Sequence, residues 1–127
     1  MAYILDTHVV LWSMSDPYKL SQAAQQILLD RSCQKFISIS SVWEIAIKNR
    51  IGKLSLENGL AEVYSEIEMF GVGLLNIDQQ HIEFYTTLPL LHRDPFDGII
   101  VATALLENMT IVTADENIQK YDVPWIW

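Results

Sequence analysis

The sequence has little of what small secreted proteins and membrane proteins depend on. Among its 127 residues there is one cysteine, Cys33, so no internal disulfide can form. No apolar run approaches the roughly 20 residues that a membrane-spanning helix needs. The start, from Met1 to Asp6, has no basic segment and reaches a carboxylate too early for a signal peptide. These absences predict a cytoplasmic protein that no membrane holds.

Basic residues are also scarce. Eight lysines and arginines stand against sixteen aspartates and glutamates, which leaves a net charge of −8. This balance argues against non-specific binding to nucleic acid through a uniformly basic surface. The deficit is uneven, however, because Lys48, Arg50 and Lys53 form a local basic cluster and Arg93 directly precedes an aspartate.

What is present indicates one α/β domain over residues 1–127. Half of the residues are hydrophobic, enough for a chain of this length to bury its own core. Apolar runs typical of strands alternate with helical patterns, which predicts a parallel sheet with crossover helices. The strands are predicted near residues 2–5, 36–39, 72–76, 110–113 and 124–126. The helices are predicted near residues 8–14, 21–31, 41–51, 57–69, 78–87, 95–108 and 116–120.

Four acidic residues fall where such a sheet brings distant residues to one edge. Asp6 ends the first apolar run and Asp115 follows the fourth. Glu44 and Asp97 are predicted in the first turns of helices, whose N-termini lie at the edge where the strands end. Ligands bind at this edge of open α/β sheets. Since gathered carboxylates repel one another, and oxygen ligands suit Mg²⁺ and Mn²⁺, the pattern predicts a site for a hard divalent ion.

Each acid also has a local explanation that needs no metal. Asp6, Asp94 and Asp115 each precede a predicted helix, where aspartate is a common N-cap. Asp97 comes three residues after Asp94, so this pair fits a capping arrangement. These explanations leave open why all the acids fall at the same edge of the predicted sheet.

Glu44 has two such local explanations. Ser41 and Glu44 fit the spacing of a capping box, in which the two side chains bind each other's backbone amides. Glu44 and Lys48 fit the spacing of an ion pair on one helix face. His8 and His92 lie near two of the acids but have no partner at metal-ligand spacing, so hydrogen-bonding or packing roles are expected for them.

Three segments together resemble the PIN-domain ribonucleases, and above all the VapC-type toxins of bacterial toxin–antitoxin pairs. They are YILDTHVVLW from residue 3, ISISSVWEIAIKNRIGKL from residue 37 and LLHRDPFDGIIVATALLENMTIVTADENI from residue 90. The resemblance implies a three-layer α/β/α domain with a central parallel sheet of about five strands. It also implies RNA cleavage that depends on Mg²⁺ or Mn²⁺, and an antitoxin partner that blocks the site.

The resemblance assigns roles to matching positions. Asp6 and Asp97 are expected as principal metal ligands, Asp115 as a ligand directly or through water, and Glu44 as a ligand or as the group that orients the attacking water. The expected supporting residues are Thr7, Ser41, Asp94 and Thr113. The candidates for contacts with the RNA backbone are Lys48, Arg50, Lys53 and Arg93. One departure is Gly98, which stands where many relatives have a basic residue.

Other classes of protein fit less well. A haloacid-dehalogenase-like phosphohydrolase would have a second aspartate two residues after the first, where this chain has His8. A receiver domain would have paired acids after the first strand and a lysine after a late strand. A PIN fold that binds a partner without catalysis remains an alternative. The nearly all-apolar helix predicted at 95–108 indicates a buried element or a subunit interface, which is compatible with a homodimer.

Overall fold

Five short parallel strands form the centre of the protein. The computed structural model describes Met1–Trp127, and every strand pair in it is parallel. The sheet has the order β3-β2-β1-β4-β5. The strands are β1 (Ala2–Leu5), β2 (Gln34–Ser38), β3 (Gly73–Leu75), β4 (Thr110–Val112) and β5 (Trp125–Ile126).

Seven α-helices connect and cover the strands, each within a few residues of its predicted position. The helices are α1 (Thr7–Ser15), α2 (Gln22–Leu29), α3 (Ile39–Arg50), α4 (Leu60–Met69), α5 (Gln79–Tyr85), α6 (Pro95–Glu107) and α7 (Glu116–Gln119). A short 3₁₀ turn at Pro17–Lys19 was not predicted. Ser21 caps α2, since its side chain accepts a hydrogen bond from the Ala24 amide. None of the helices combines the length and the apolar character needed to cross a bilayer.

The sheet separates two hydrophobic cores. Successive side chains of a strand point to opposite faces. Leu5, Ile37 and Val112 accordingly join a core with α1 to α4, whereas Ile4 and Ile111 join a core with α6 and α7. All five side chains are fully buried. The predicted three-layer α/β/α arrangement with a five-stranded parallel sheet is thereby confirmed.

The strand order reverses next to β1. The chain places β2 and β3 on one side of β1 and then returns to add β4 and β5 on the other side. In the register, Ile4 pairs with Ile111 and Leu5 with Val112, so β1 and β4 end level with each other. A crevice outside the carboxyl ends of two such strands is where doubly wound sheets bind ligands.

The helix α3 begins earlier than its sequence predicted. Ser38 is the N-cap, and its side chain accepts a hydrogen bond from the Ser40 amide at 3.1 Å. The helix therefore starts at Ile39, and Glu44 lies in the second turn rather than the first, where it was predicted. The capping box of Ser41 with Glu44 was also wrong, because Ser41 lies inside the helix.

The strand β2 also begins earlier than predicted, with the polar residues Gln34 and Lys35. Lys35 is buried, and its ammonium donates a hydrogen bond to the carbonyl of Leu28 at 2.7 Å, near the end of α2. Burial lowers the pKa of Lys35. A contact with another element therefore allows a lysine inside a strand that the apolar pattern alone placed further along the chain.

Candidate metal centre

Asp6 lies at the junction of β1 and β4. Its backbone amide donates to the Val112 carbonyl at 3.0 Å, which continues the pairing of the two strands. Its side chain is 3% exposed, and Oδ2 accepts a hydrogen bond from the Thr113 hydroxyl at 2.8 Å. Asp6 also occupies the N-cap position of α1, but its side chain makes no capping hydrogen bond there. The capping explanation for this residue was therefore wrong.

The second carboxylate oxygen of Asp6 opens into a cleft. Asp6 Oδ1 has no hydrogen-bond partner, whereas no fully buried side-chain oxygen or nitrogen in the protein lacks one. Oδ1 must therefore be accessible to solvent. It faces a cleft of about 210 Å³, whose lining consists of Asp6, His8, Trp12, Ala114 and Asp115.

Asp115 reaches the same cleft from the end of β4. Its Oδ1 accepts a hydrogen bond from the Asn117 amide at 2.8 Å, so the predicted capping of α7 is confirmed. Its own amide donates to Thr113 Oγ1 at 3.0 Å. The Thr113 hydroxyl thus binds both Asp6 and Asp115, and Asp115 Oδ2 is left without a partner in the protein.

Glu44 is held on both of its oxygens. Thr7 donates its hydroxyl hydrogen to Oε1 at 2.9 Å, and Lys48 Nζ donates to Oε2 at 2.9 Å. Thr7 Oγ1 also lies 2.8 Å from Ser41 Oγ. The predicted pair of Glu44 with Lys48 is confirmed, and Thr7 and Ser41 lie beside this acid.

Asp97 lies in the first turn of α6, as predicted, and is 6% exposed. Asp94 caps this helix by accepting a hydrogen bond from the Phe96 amide at 2.9 Å. Asp97 Oδ2 lies 3.2 Å from His92 Nε2. This contact agrees with the hydrogen-bonding or packing role expected for His92, but the sequence did not identify Asp97 as its partner, since His92 belongs to a loop with no regular spacing.

The four acids lie close enough for their charges to act on one another. The pKa of Asp97 is raised from 3.8 to about 8, first by burial and then by repulsion from the carboxylates of Asp94, Asp6, Asp115 and Glu44. The pKa of Asp6 is likewise raised, chiefly by burial, with repulsion from Asp115 and Glu44 acting in the same direction. The charge of His8 lowers the pKa of Asp6 but does not offset the effect of burial.

The free oxygens suit a hard divalent cation. Asp6 and Asp115 each present one oxygen without a protein partner, and Asp97 has an oxygen beyond the one near His92. Potential ligand atoms of His92, Asp94 and Asp97 lie within 4.8 Å of one another, so Asp94 is close to the third acid, whereas Asp6, Glu44 and Asp115 belong to no group this tight. A cation among these oxygens would relieve the repulsion that raises the two pKa values.

The other basic candidates lie outside this cluster of contacts. Arg50, Lys53 and Arg93 are exposed, and none of them forms a salt bridge. Their charges are available to an anionic ligand, whereas Lys48 is already engaged by Glu44.

Comparison with known proteins points to one family. A family model described as PIN domain matches residues 3–124, almost the whole chain. No curated protein matches the sequence.

Several solved structures share the fold. The VapBC2 structure from Rickettsia felis, bound to a DNA fragment from its promoter, contains a chain with a TM-score of 0.74 and 17% identity, covering 99% of this chain and 98% of that one. A chain of VapBC-1 from nontypeable Haemophilus influenzae has a TM-score of 0.69 and 22% identity, with 99% of this chain and 97% of that one covered. A chain of a toxin–antitoxin complex from Klebsiella pneumoniae has a TM-score of 0.66 and 19% identity, with 98% of this chain and 96% of that one covered.

Proposed function

This chain belongs to the PIN-domain family, and we propose that it is a metal-dependent endoribonuclease that acts as the toxin of a toxin–antitoxin pair. The similar structures from Rickettsia felis, Haemophilus influenzae and Klebsiella pneumoniae, which are toxin–antitoxin or VapBC assemblies by their descriptions, support the toxin role. The sequence blocks that resemble VapC-type toxins support the choice of RNA as substrate.

One observation carries the enzymatic part of the proposal. Four carboxylates from distant parts of the chain lie close enough for their charges to interact near the point where the strand order reverses, and this repulsion adds to the burial that raises the pKa of Asp6 and Asp97. Acids that only cap helices would not need to meet. Acids that share a divalent ion must meet, and must keep oxygens free of protein partners.

The free oxygens decide which residues would hold Mg²⁺ or Mn²⁺. Asp6, Asp97 and Asp115 would supply them, with Asp94 contributing through the outer shell. A divalent ion bound there would act as a Lewis acid toward phosphate oxygens. It would also lower the pKa of a bound water toward neutrality.

The surrounding side chains fix the geometry of the reaction. Thr113 holds one oxygen of Asp6, so the other oxygen keeps a constant direction. Thr7 and Lys48 hold Glu44, which can still accept a hydrogen bond from the attacking water through its remaining lone pairs. The water oxygen forms the new bond to phosphorus while the bond to the ribose oxygen breaks. Arg50, Lys53 and Arg93 would bind flanking phosphates of the RNA backbone.

Protein partners are part of the same proposal. We propose an antitoxin that covers the site and a homodimer of the toxin. Trp43, Ile82 and Tyr85 line one apolar cleft and are 63%, 54% and 36% exposed, and contiguous apolar surfaces are commonly covered by a partner. Light scattering on the purified protein would test the dimer.

Incubation of the purified protein with single-stranded RNA tests the enzymatic proposal. We expect cleavage with Mn²⁺ or Mg²⁺, no cleavage with EDTA, and little cleavage of DNA of the same sequence. Intact RNA under all metal conditions, from protein that has folded and binds Mn²⁺, would favour a binding module instead.

A further inference from the structure

Glu44 differs from the other three site acids in how its oxygens are occupied. Asp6 and Asp115 each have one oxygen bound by the protein and one oxygen free. Glu44 has both oxygens bound, one by the Thr7 hydroxyl and the other by the Lys48 ammonium. The position that a cation would take at Glu44 is therefore filled by a cation of the protein itself.

We propose that Lys48 is a positioning residue that keeps Glu44 away from the metal until an anion draws the lysine off. In the absence of nucleic acid, the three aspartates then bind one divalent ion, and Glu44 stays bound to Lys48. When a phosphate of the substrate offers the ammonium a new partner, Glu44 becomes available. This inference rests on the proposed metal-dependent function of the same site.

The contact is more than a helix-surface ion pair. Pairs at this spacing on exposed helix faces contribute only about 0.3–0.5 kcal/mol. Here the Glu44 side chain is 8% exposed, and the pair lies on its solvent side, since the Lys48 side chain is 34% exposed. Breaking the contact therefore removes the positive charge next to a buried carboxylate, where solvent screens the interaction less than it does on an exposed helix face.

The charge of Lys48 also acts on the rest of the site. The hydrogen bond to Glu44 is the largest cause of the raised pKa of Lys48, and the charges of Asp94 and Asp97 act in the same direction. The ammonium therefore stabilises several acids of the site at once while no metal is bound. A lysine with a four-carbon stem and partial exposure can exchange one partner for another without a change in the backbone.

Calorimetric titration with Mn²⁺ alone tests the proposal in the full-length protein. Wild-type protein should bind one ion per chain, and Lys48→Met should bind a second ion or bind the first about tenfold more tightly. Lys48→Arg, which keeps the charge and a donor, should behave like wild type. Adding Glu44→Gln to Lys48→Met should return the titration to one ion per chain.

Lys120→Met is the matched control, because it removes the same charge from an exposed residue that has no salt bridge and no proposed part in binding RNA. The proposal is overturned if Lys48→Met and Lys120→Met give the same stoichiometry and affinity, since the pair would then serve the helix alone. Such a result would leave the proposed nuclease intact if wild type binds Mn²⁺. Absence of Mn²⁺ binding in every variant would overturn both proposals.

Discussion

Thr113 and Asp6 are 107 residues apart in the sequence, and their side chains are hydrogen-bonded at 2.8 Å. The same hydroxyl accepts a hydrogen bond from the Asp115 amide at 3.0 Å. One threonine at the end of β4 thus fixes the acid at the end of β1 and the backbone of a second acid. Its hydroxyl also lowers the pKa of Asp6, against the larger effect of burial.

Replacing Thr113 should weaken metal binding without removing a ligand. Thr113→Val keeps the shape of the buried side chain but leaves Asp6 Oδ2 without its donor, so we expect Mn²⁺ affinity to fall on the order of tenfold. Thr113→Ser keeps the hydroxyl and should retain most of the affinity. Calorimetry with Mn²⁺ gives the comparison, and equal affinities of the two variants would contradict the role of the hydroxyl.

Asp6→Asn separates a metal ligand from a structural acid. The amide oxygen can still accept from Thr113, but the negative charge and its repulsion are gone. We expect Mn²⁺-dependent RNA cleavage to fall at least about 100-fold, with the thermal melting temperature unchanged or raised. Asp16→Asn is the control, because it removes the same charge from a residue that pairs with Lys19 away from the site. This variant should cleave RNA at the wild-type rate. Cleavage by Asp6→Asn at the wild-type rate would exclude Asp6 from the reaction.

The metal-free protein should lose stability as the pH rises toward 8. Because the pKa of Asp97 is raised from 3.8 to about 8, the folded protein holds this proton more tightly than the unfolded chain. The stabilisation from this group is complete below about pH 4 and is lost progressively up to about pH 8.

Thermal melts in EDTA at several pH values, for wild type and Asp97→Asn, isolate this effect. The melting temperature of the variant, relative to that of wild type, should rise between about pH 5 and pH 8. Above that range the difference should stay constant. Saturating Mn²⁺ should stabilise wild type most at the upper end of the range, since the ion replaces the proton. Parallel melting curves for the two proteins would show that Asp97 is ionised without a metal.

Gly98 is a packing position in α6. A Cβ atom built at Gly98 would collide with the ring of Tyr85, which belongs to α5. Helix propensity alone favours alanine over glycine by about 1 kcal/mol, whereas overpacking costs about 1–3 kcal/mol. We therefore expect Gly98→Ala to lower the free energy of unfolding, as measured by urea denaturation.

The same substitution in a Tyr85→Ala background is the control. Without the ring, Gly98→Ala should raise the free energy of unfolding by about the helix-propensity difference. A stabilising Gly98→Ala in the wild-type background would show that the Tyr85 side chain, which is 36% exposed, moves aside at little cost.

The position of the acids at one edge of the sheet was predictable because the topology determines it. Asp6 ends an apolar run and Asp97 follows an Asp-Pro helix start, and both positions follow from local patterns. Once the strands are parallel, their carboxyl ends must share an edge. The two faces of the sheet were predictable for the same reason, since alternate residues such as Ile4 and Leu5 cannot face the same core.

The starts of two elements did not follow from the apolar pattern. The start of β2 depends on Lys35 reaching the Leu28 carbonyl in α2, and the start of α3 depends on the local contact of Ser38 with the Ser40 amide. The apolar pattern contains neither contact, and Glu44 was therefore placed one turn too early. The approach of His92 to Asp97 likewise depends on the path of a loop. The roles of the acids in catalysis, and of Arg50, Lys53 and Arg93 in binding RNA, stay predictions.

The pairing of β1 with β4 also sets the order in which the site can be assembled during translation. Asp6 is synthesised 107 residues before Thr113, and Asp115 follows Thr113. In a growing polypeptide that ends before β4, β1 has no neighbouring strand on one side and the set of acids is incomplete. If the chain cuts RNA as proposed, the nascent protein therefore lacks the complete set of acids until β4 and Asp115 have been synthesised.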